Sequence, residues 1–284
     1  MTDAPIDIRP LTAAEIDQAV AWAAREGWNP GHADAACFAA QDPEGFWGGF
    51  VDGAMVACIS VVNYGSDFAF LGFYIVDAAV RGQGYGYALW QRALAHAGGR
   101  TVGLDGVVDQ QENYRRSGFA FAWRNIRFSG AVTAQPAAHD GLRVSPLAAL
   151  TAEVAALDAR VFPAPRPAFW SQWLGAPGHL SYAVHDGATL SGFATLRPCH
   201  DGVKIAPLVA TSRAAAETLL AVLLPQIPAS AQVTLDVPEP HGAAVALAQD
   251  LGLQPVFETA RMYRGAAPRV APELIFAVTS FELG

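Results

Sequence analysis

The sequence predicts an α/β protein with mixed α+β sheets, arranged as two tandem copies of one fold. Apolar runs at strand spacing alternate with helical patterns along the chain. Both halves carry an Asp-Gly dipeptide between two apolar runs, a strong signal of a β-hairpin. The order of elements begins again near residue 142, and a repeat of this length indicates two domains of the same fold and not a solenoid.

Two helices open the first copy, which we expect to span residues 1–130. Residues 12–25 have apolar positions at helical spacing, with Thr12 at the N-cap position and Glu15 three residues further, the pattern of a capping box. A Pro-Gly turn follows, and a second short helix is expected over residues 33–40.

Strands dominate the rest of the first copy. The dipeptide Asp52-Gly53 predicts a hairpin turn between two strands, and the apolar run over residues 68–76 predicts a long third strand. The pattern further predicts a helix near 85–97, a strand over 101–107, a helix that Asp109 opens as a cap, and a last strand over 119–128.

The second copy is predicted over residues 142–284, after a linker of small residues, Pro and Gly at residues 131–141. Its hairpin signal is a second Asp-Gly dipeptide, and a strand followed by a helix recurs over residues 203–224. Each copy is therefore expected to be a mostly antiparallel sheet flanked by helices.

The composition excludes several classes of protein. A chain of 284 residues suits two domains, and 52% hydrophobic against 15% charged residues favours an ordered fold. The net charge of -8 argues against nucleic acid or an anionic membrane as a partner. Neither a transmembrane span nor a secretory leader is expected, and three cysteines without a CxxC pair predict no disulfide framework and no metal site. A reducing cytoplasm is the expected location.

The stretch between Val76 and Gly86 carries most of the chemical information. There an apolar strand runs into Arg81-x-x-Gly84-x-Gly86, and a helix begins. Glycines let the backbone approach a ligand at positive φ, and the free N–H groups at a helix start bind phosphate oxygens. Arg81 can add charge-assisted contacts to a phosphate. The structural alternative is a plain Gly-rich turn between strand and helix.

A dinucleotide-binding fingerprint is a second alternative for this stretch. Gly82-x-Gly84 lies between a strand and a helix, and Asp105 ends the next strand about 20 residues further, as that fingerprint requires. Two features oppose this interpretation. Tyr87 occupies the position of the third glycine, and the motif follows hairpin strands whereas a dinucleotide-binding fold usually opens with it.

A third interpretation joins the loop to a second motif. The loop that begins at Arg81 resembles the Arg/Gln-x-x-Gly-x-Gly/Ala pattern of the GNAT superfamily of N-acetyltransferases, which ends that family's fourth strand. The family commonly has Tyr-x-x-x-Gly-Phe after its fifth strand, and this chain has Tyr114-Arg-Arg-Ser-Gly118-Phe119. The order of elements over residues 6–128 is also similar. The second copy resembles the C-terminal domain of two-domain GNAT proteins of the YitH type, which end in a sequence like VTSFELG.

This resemblance implies an acetyl-CoA-dependent N-acetyltransferase whose first copy is catalytic. It implies that the strand at 68–76 splays from the strand at 101–106, with the pantetheine arm between them. An N–H group near Ile75 or Val76 would polarise the thioester carbonyl, and Tyr114 would be the general acid or else only pack on the strand below it. The pyrophosphate would lie beside Arg81, on the backbone N–H groups of Gly82, Gln83, Gly84, Tyr85, Gly86 and Tyr87.

The resemblance leaves the general base and the acceptor loop open. Asp105 ends the strand beside the expected thioester and is a candidate base, with a turn residue before Gly106 as the alternative. Trp28 and Asn29 fall where the family has its acceptor loop, and an ordinary tight turn is their alternative.

The second copy is expected to keep the fold without the cofactor. Ungapped pairing of the halves sets Glu217 and Leu219 opposite the last two loop glycines, where a charge and a bulky side chain would oppose a pyrophosphate. Its expected contribution is the acceptor pocket, through Glu239 and His241 after its matching strand, with Glu282 of the tail adding charge. A solvated turn that leads into a helix is the alternative.

The predicted function is direct transfer of an acetyl group to the primary amine of a small molecule, by a monomer or homodimer. A non-catalytic acetyl-CoA sensor with an interaction domain is the alternative from another class. Acetylation of a protein is less compatible with a closed pocket between two domains.

Overall fold

A computed structural model describes residues 6–228 and 230–284 of the chain. Within these ranges the strands form one continuous 13-stranded sheet, on which the helices pack. The sheet is mixed but mostly antiparallel, which confirms the predicted fold class. No helix of the described part is long and apolar enough to cross a membrane.

The two halves repeat one order of elements, with one strand added at the end of the second. The elements of the first half are β1 (Asp7–Pro10), α1 (Ala13–Arg25), α2 (Asp34–Gln41), β2 (Phe46–Val51), β3 (Ala54–Tyr64), β4 (Phe68–Val76), α3 (Tyr85–His96), β5 (Thr101–Val107), α4 (Gln111–Arg116) and β6 (Ala120–Gly130). Those of the second half are β7 (Leu142–Pro146), α5 (Ala152–Val161), α6 (Pro167–Trp173), β8 (Leu180–Asp186), β9 (Thr189–Pro198), β10 (Val203–Ala210), α7 (Arg213–Leu223), β11 (Val233–Pro238), α8 (Gly242–Asp250), β12 (Gln254–Arg264) and β13 (Ile275–Ala277).

Local sequence signals place the first elements correctly. The Thr12 backbone N–H donates to Glu15 Oε2 at 2.8 Å, so the predicted capping box closes the start of α1. Asp52 and Gly53 have φ of 50° and 79°, the left-handed pair that a two-residue hairpin turn requires between β2 and β3. The predicted cap at Asp109 is wrong, because that residue lies in a 3₁₀ turn and α4 begins two residues later, at Gln111.

The two halves exchange their last long strands. The order across the middle of the sheet is β5-β12-β6-β11, so β12 of the second half pairs with β5 where β6 of the first half would be expected. In turn, β6 pairs with β11 of the second half, with Arg127 opposite Asp236. Each half therefore pairs with a strand that belongs to the other half: β5 with β12, and β11 with β6.

The added strand β13 fills a gap in the second half. Strands β10 and β11 are parallel and pair only at Val203 and Lys204, beyond which they separate. There β13 pairs antiparallel with β10, Leu208 lying opposite Ala277. The chain's own C-terminal segment thus occupies the space between β10 and β11.

Buried ion pairs fasten the halves together. Arg197 of β9 is fully buried, and its Nη2 donates to Asp34 Oδ2 of α2 and to the Thr279 carbonyl, both at 2.9 Å. Arg127 of β6 forms a bidentate pair with Asp236 of β11, at 2.6 and 2.8 Å. A buried charge that loses its partner is strongly destabilising, so these pairs hold the relative position of the halves.

Candidate functional site

A slot between β4 and β5 lies beside the predicted motifs. These parallel strands pair from Phe68 opposite Thr101 to Leu71 opposite Leu104, and no further. Beyond that point they splay apart, as the sequence resemblance implies. A cavity of about 390 Å³ lies in the splayed region, between the two strand ends.

The glycine loop leads from this slot to the start of α3. Gly82 and Gly84 have φ of 82° and 88°, a conformation that favours glycine, and Gly84 is the N-cap of α3. Because Gly84 has no side chain, the first N–H groups of α3 have no side-chain acceptor. A 12-residue helix with a free N-terminus is suited to binding phosphate oxygens.

Gly86 and Arg81 set the shape of the loop. A Cβ at Gly86 would lie 2.7 Å from Val76 Cγ2 and 2.8 Å from the Tyr74 hydroxyl, so only glycine lets α3 start this close to β4. Arg81 Nε donates to the Val76 carbonyl at 2.9 Å, and its Nη2 contacts Glu26 at 3.0 Å. The arginine therefore lies at the mouth of the slot, beside the loop.

Tyr114 lies on the wall of the cavity. It is buried on α4, and its ring stacks on Trp90 with centroids 5.7 Å apart, which fixes the ring beneath the slot. Burial, with a smaller effect of the neighbouring Tyr74, raises the pKa of Tyr114 above its ordinary value. The phenol therefore keeps its proton at neutral pH, as a proton donor must. The structure thus supports both expectations for this residue, packing and access to the slot.

The amide of Val76 faces the slot. The Asp77 N–H donates to the Val56 carbonyl of β3 at 2.9 Å, and neighbouring residues of an extended strand direct their N–H groups to opposite edges. The Val76 carbonyl, which accepts from Arg81, points away from β3. Of the two expected oxyanion donors, Ile75 and Val76, the geometry favours Val76.

Asp105 is held in an ion pair. Arg261 of β12 donates to both carboxylate oxygens at 2.9 and 2.7 Å, and Asn125 donates at 2.8 Å. The Asp105 side chain has no solvent exposure. Both of its oxygens are thus held by fixed donors, and the geometry supports a role in joining β5 to β12 and not the role of a base.

The two residues of the expected acceptor loop have different positions. Trp28 lines the cavity, and its carbonyl accepts from Arg127 at 2.6 Å. Asn29 instead exchanges two 2.8 Å hydrogen bonds with the backbone of Asp201, in the β9–β10 hairpin of the second half. The structure therefore gives Trp28 a place at the site and Asn29 a role in attaching the loop to the second half.

Glu239 and His241 do not line the cavity, against expectation. In the sheet, β11 is three strands from β5, a separation of about 14 Å at ordinary strand spacing. Glu239 is half exposed and forms an ion pair with Arg124. His241 is buried, with Nδ1 2.9 Å from the Ile275 carbonyl. Both residues are engaged away from the site because the exchanged strands β12 and β6 lie between.

The second half reaches the cavity through other residues. Phe257 and Thr259 of β12, and Phe281 and Glu282 of the tail, complete its wall. The strand exchange brings β12 to this position, and only Glu282 among these four had been indicated by the sequence. The others had no recognisable signal, since nothing in a local pattern specifies which distant strand β5 pairs with.

The glycine loop has no counterpart in the described connection between β10 and α7 of the second half. Eight residues separate β4 from α3, whereas only Thr211 and Ser212 separate β10 from α7. The ungapped pairing of Glu217 and Leu219 with loop glycines is therefore wrong, since both lie inside α7. The expected absence of the loop follows from this two-residue connection.

Together the two repeated halves, the splayed strands and the glycine loop define an acyltransferase. Residues 13–122 match the family described as "Acetyltransferase (GNAT) family", and residues 154–277 match the one described as "Acetyltransferase (GNAT) domain". The chain belongs to the GNAT family, as a tandem member with two such domains.

Similar proteins agree with this assignment. Holothin acyltransferase from Pseudoalteromonas sp. (strain SANK 73390) is 34% identical over 276 residues, which cover 97% of this chain and 94% of that protein. A Pyrococcus horikoshii protein described as a candidate acetyltransferase has the same fold, with a TM-score of 0.83 at 18% identity, covering 100% of this chain and 97% of that one. A tandem GNAT protein from the clavulanic acid biosynthesis pathway has a TM-score of 0.64 at 17% identity, covering 93% and 100%.

Proposed function

We propose that this GNAT acyltransferase transfers the acetyl group of acetyl-CoA directly to the primary amine of a small molecule. The observation that carries the proposal is the slot between β4 and β5. At one end it has a helix start suited to a pyrophosphate, and on its wall it has a buried, protonated Tyr114. A pantetheine arm laid along the slot would bring the thioester between these two features.

The residues of the slot fit the steps of acyl transfer. The amine nitrogen attacks the thioester carbonyl carbon, and the Val76 N–H would stabilise the oxyanion that forms. A single oxyanion-hole donor contributes about 10²–10³ in rate. The C–S bond then breaks, and Tyr114 would supply the proton that the leaving thiolate takes, an effect of about 10²–10⁴.

The cavity also supports a small acceptor. The cavity of about 390 Å³ would hold the end of the pantetheine arm as well as the acceptor, so the space left for the acceptor suits a small molecule. The second half closes it with Phe257 and Phe281, and Trp28 forms part of its wall. These aromatic rings favour a compact amine with an apolar body, and a folded protein surface would have difficulty reaching past them.

A coenzyme A-release screen tests the proposal. The panel contains polyamines, amino acids, aminoglycosides and holothin, the last because a 34% identical relative is named for it. With a true acceptor, mass spectrometry should find acetylated amine and free coenzyme A in equal amounts. The matched control is Gly86→Leu, which clashes with Val76 and should release neither product.

The alternative function, a non-catalytic acetyl-CoA sensor, is not favoured, because the relative that spans nearly the whole chain is named an acyltransferase. It predicts tight binding of acetyl-CoA and no amine-dependent release with any member of the panel. That result would overturn the proposed transfer reaction and leave the cofactor site intact.

A further inference from the structure

Four carboxylates line the cavity, and they differ in their exposure and in their hydrogen-bond and ion-pair partners. Glu26 is exposed at the mouth and contacts Arg81, and Asp109 is exposed at the rim. Asp105 has both oxygens held by Arg261. Glu282 is the fourth.

Glu282 is buried, and one of its oxygens has no partner. The residue is 4% exposed, and its Oε1 has no hydrogen-bond donor within the described part of the protein. Its Oε2 accepts from the Ser280 hydroxyl, which also accepts from the Glu282 backbone N–H at 3.1 Å. A buried carboxylate oxygen without a donor is costly, and such groups in native proteins are often functional.

The tail that carries Glu282 is firmly placed against the catalytic half. The Tyr64 hydroxyl donates to the Leu283 carbonyl at 2.8 Å. The Glu282 backbone lies directly against Gly72 of β4, where no side chain larger than hydrogen would fit. The same C-terminal segment therefore fills the gap in the second half through β13 and then brings a carboxylate to the first half's slot.

We infer that Glu282 is the acceptor-binding carboxylate and general base of this enzyme, receiving a single ammonium group borne on an apolar body. The inference rests on the proposed function. A small rotation of the Glu282 side chain would turn Oε1 to the cavity, where an ammonium group supplies the donor that this oxygen lacks, and one unpartnered oxygen suits one charge. The ring of Trp28 and those of Phe257 and Phe281 surround the rest of the acceptor.

The proton balance of the reaction assigns Glu282 a definite step. Oε1 takes one proton from the bound ammonium and so frees the lone pair of the nitrogen. The C–N bond forms and the C–S bond breaks, with the sulfur keeping its bonding electrons and taking the Tyr114 proton. The nitrogen's surplus proton then returns through solvent to Tyr114, and Glu282 releases its own proton to solvent. The products are the acetamide and coenzyme A as the free thiol.

The direct test compares Glu282→Gln with Glu239→Gln, the same substitution at a glutamate that does not line the cavity. Gln keeps the volume of the side chain and removes its charge. We expect kcat/KM for an aryl-alkyl monoamine such as phenethylamine to fall by about 10²–10⁴ in Glu282→Gln, with the Kd of acetyl-CoA unchanged. Glu239→Gln should behave as wild type. Glu282→Asp, which keeps the charge on a shorter stem, should recover part of the lost rate.

A pH series separates a base from a packing residue. The Glu282→Gln variant needs an amine that arrives neutral. Its kcat/KM should therefore approach that of wild type as pH rises from about 7 to about 9.5, because an alkylamine has a pKa near that of lysine and is increasingly neutral at the higher pH. The other ionisable groups around the cavity and around Glu282 are common to both proteins and cancel in the ratio: Glu26, Tyr74, Arg81, Asp105, Asp109, Tyr114, Arg127 and Arg197.

The outcomes distinguish the two proposals. If wild type acetylates the monoamine and Glu282→Gln retains its rate, Glu282 is not the base and this inference is wrong. If the loss of kcat/KM in Glu282→Gln stays constant with pH, or if Glu282→Asp shows the same loss, the residue has a packing role and the inference is also wrong. If wild type acetylates spermidine far better than any monoamine, the inference that the acceptor carries a single ammonium group is wrong. If wild type acetylates nothing, the proposed function itself fails.

Discussion

Substitution of Gly72 tests whether the C-terminal tail lies on β4 in solution. A Cβ at this position would lie 1.5 Å from the Glu282 carbonyl oxygen and 3.1 Å from its Cα. Non-bonded heavy atoms require about 3.5 Å, so the tail and β4 must separate by about 2 Å in Gly72→Ala. Overpacking of this kind costs about 1–3 kcal/mol of stability.

The effect of Gly72→Ala on activity should exceed its effect on stability. A displacement of about 1 Å at a reacting centre can lower the rate about 10²-fold, and here the displaced residue is Glu282. We expect amine transfer to fall at least that far, measured as coenzyme A release at saturating acetyl-CoA. Gly99→Ala is the matched control, since a Cβ there contacts nothing within 4 Å. Full activity and unchanged thermal stability in Gly72→Ala would refute the placement of the tail.

Three further predictions concern Tyr114 and the contact between the halves. Tyr114→Phe should lower kcat by about 10² or more and leave acetyl-CoA affinity unchanged, and a full-rate variant would restrict the tyrosine to packing. Because burial raises the pKa of Tyr114, its protonated form persists above pH 10, and kcat should show no loss from its ionisation between about pH 7 and 10; a Tyr114-dependent fall below about pH 9 would contradict this. Arg197→Ala leaves Asp34 buried without its partner and should lower the free energy of unfolding by about 3–5 kcal/mol in a denaturant titration. For Arg213→Ala, at a partly exposed surface ion pair, we expect a loss of at most about 1 kcal/mol. Equal effects of the two substitutions would contradict the role of the buried pair.

Local structure, including the conformation of the glycine loop, was predictable because its signals lie close together in the sequence. The left-handed Asp52-Gly53 pair, the capping box at Thr12 and the unbroken apolar run of β4 each specify their own geometry within a few residues. The glycines of the loop belong to the same class, because their positive φ is a local requirement.

Long-range pairing was not predictable from one sequence. Strands β6 and β12 have the same pattern, and either could pair with β5, so nothing local indicates that they are exchanged. The exchange brings Phe257 of β12 to the site, whereas Glu239 and His241 follow β11, which two strands separate from β5. It also means that a fragment of residues 1–135 would lack β12, the shared neighbour of β5 and β6, and would not report on the cofactor site alone.

A calorimetric titration of the intact chain with acetyl-CoA tests the central claim most directly. That claim is that acetyl-CoA binds in the β4–β5 slot of the first half. In the second half, β13 fills the equivalent gap and the connection between β10 and α7 has no glycine loop. The account predicts one binding site per chain, and its loss in Gly86→Leu, where the side chain would meet Val76 and Tyr74. Two sites per chain, or unchanged affinity in Gly86→Leu, would contradict it.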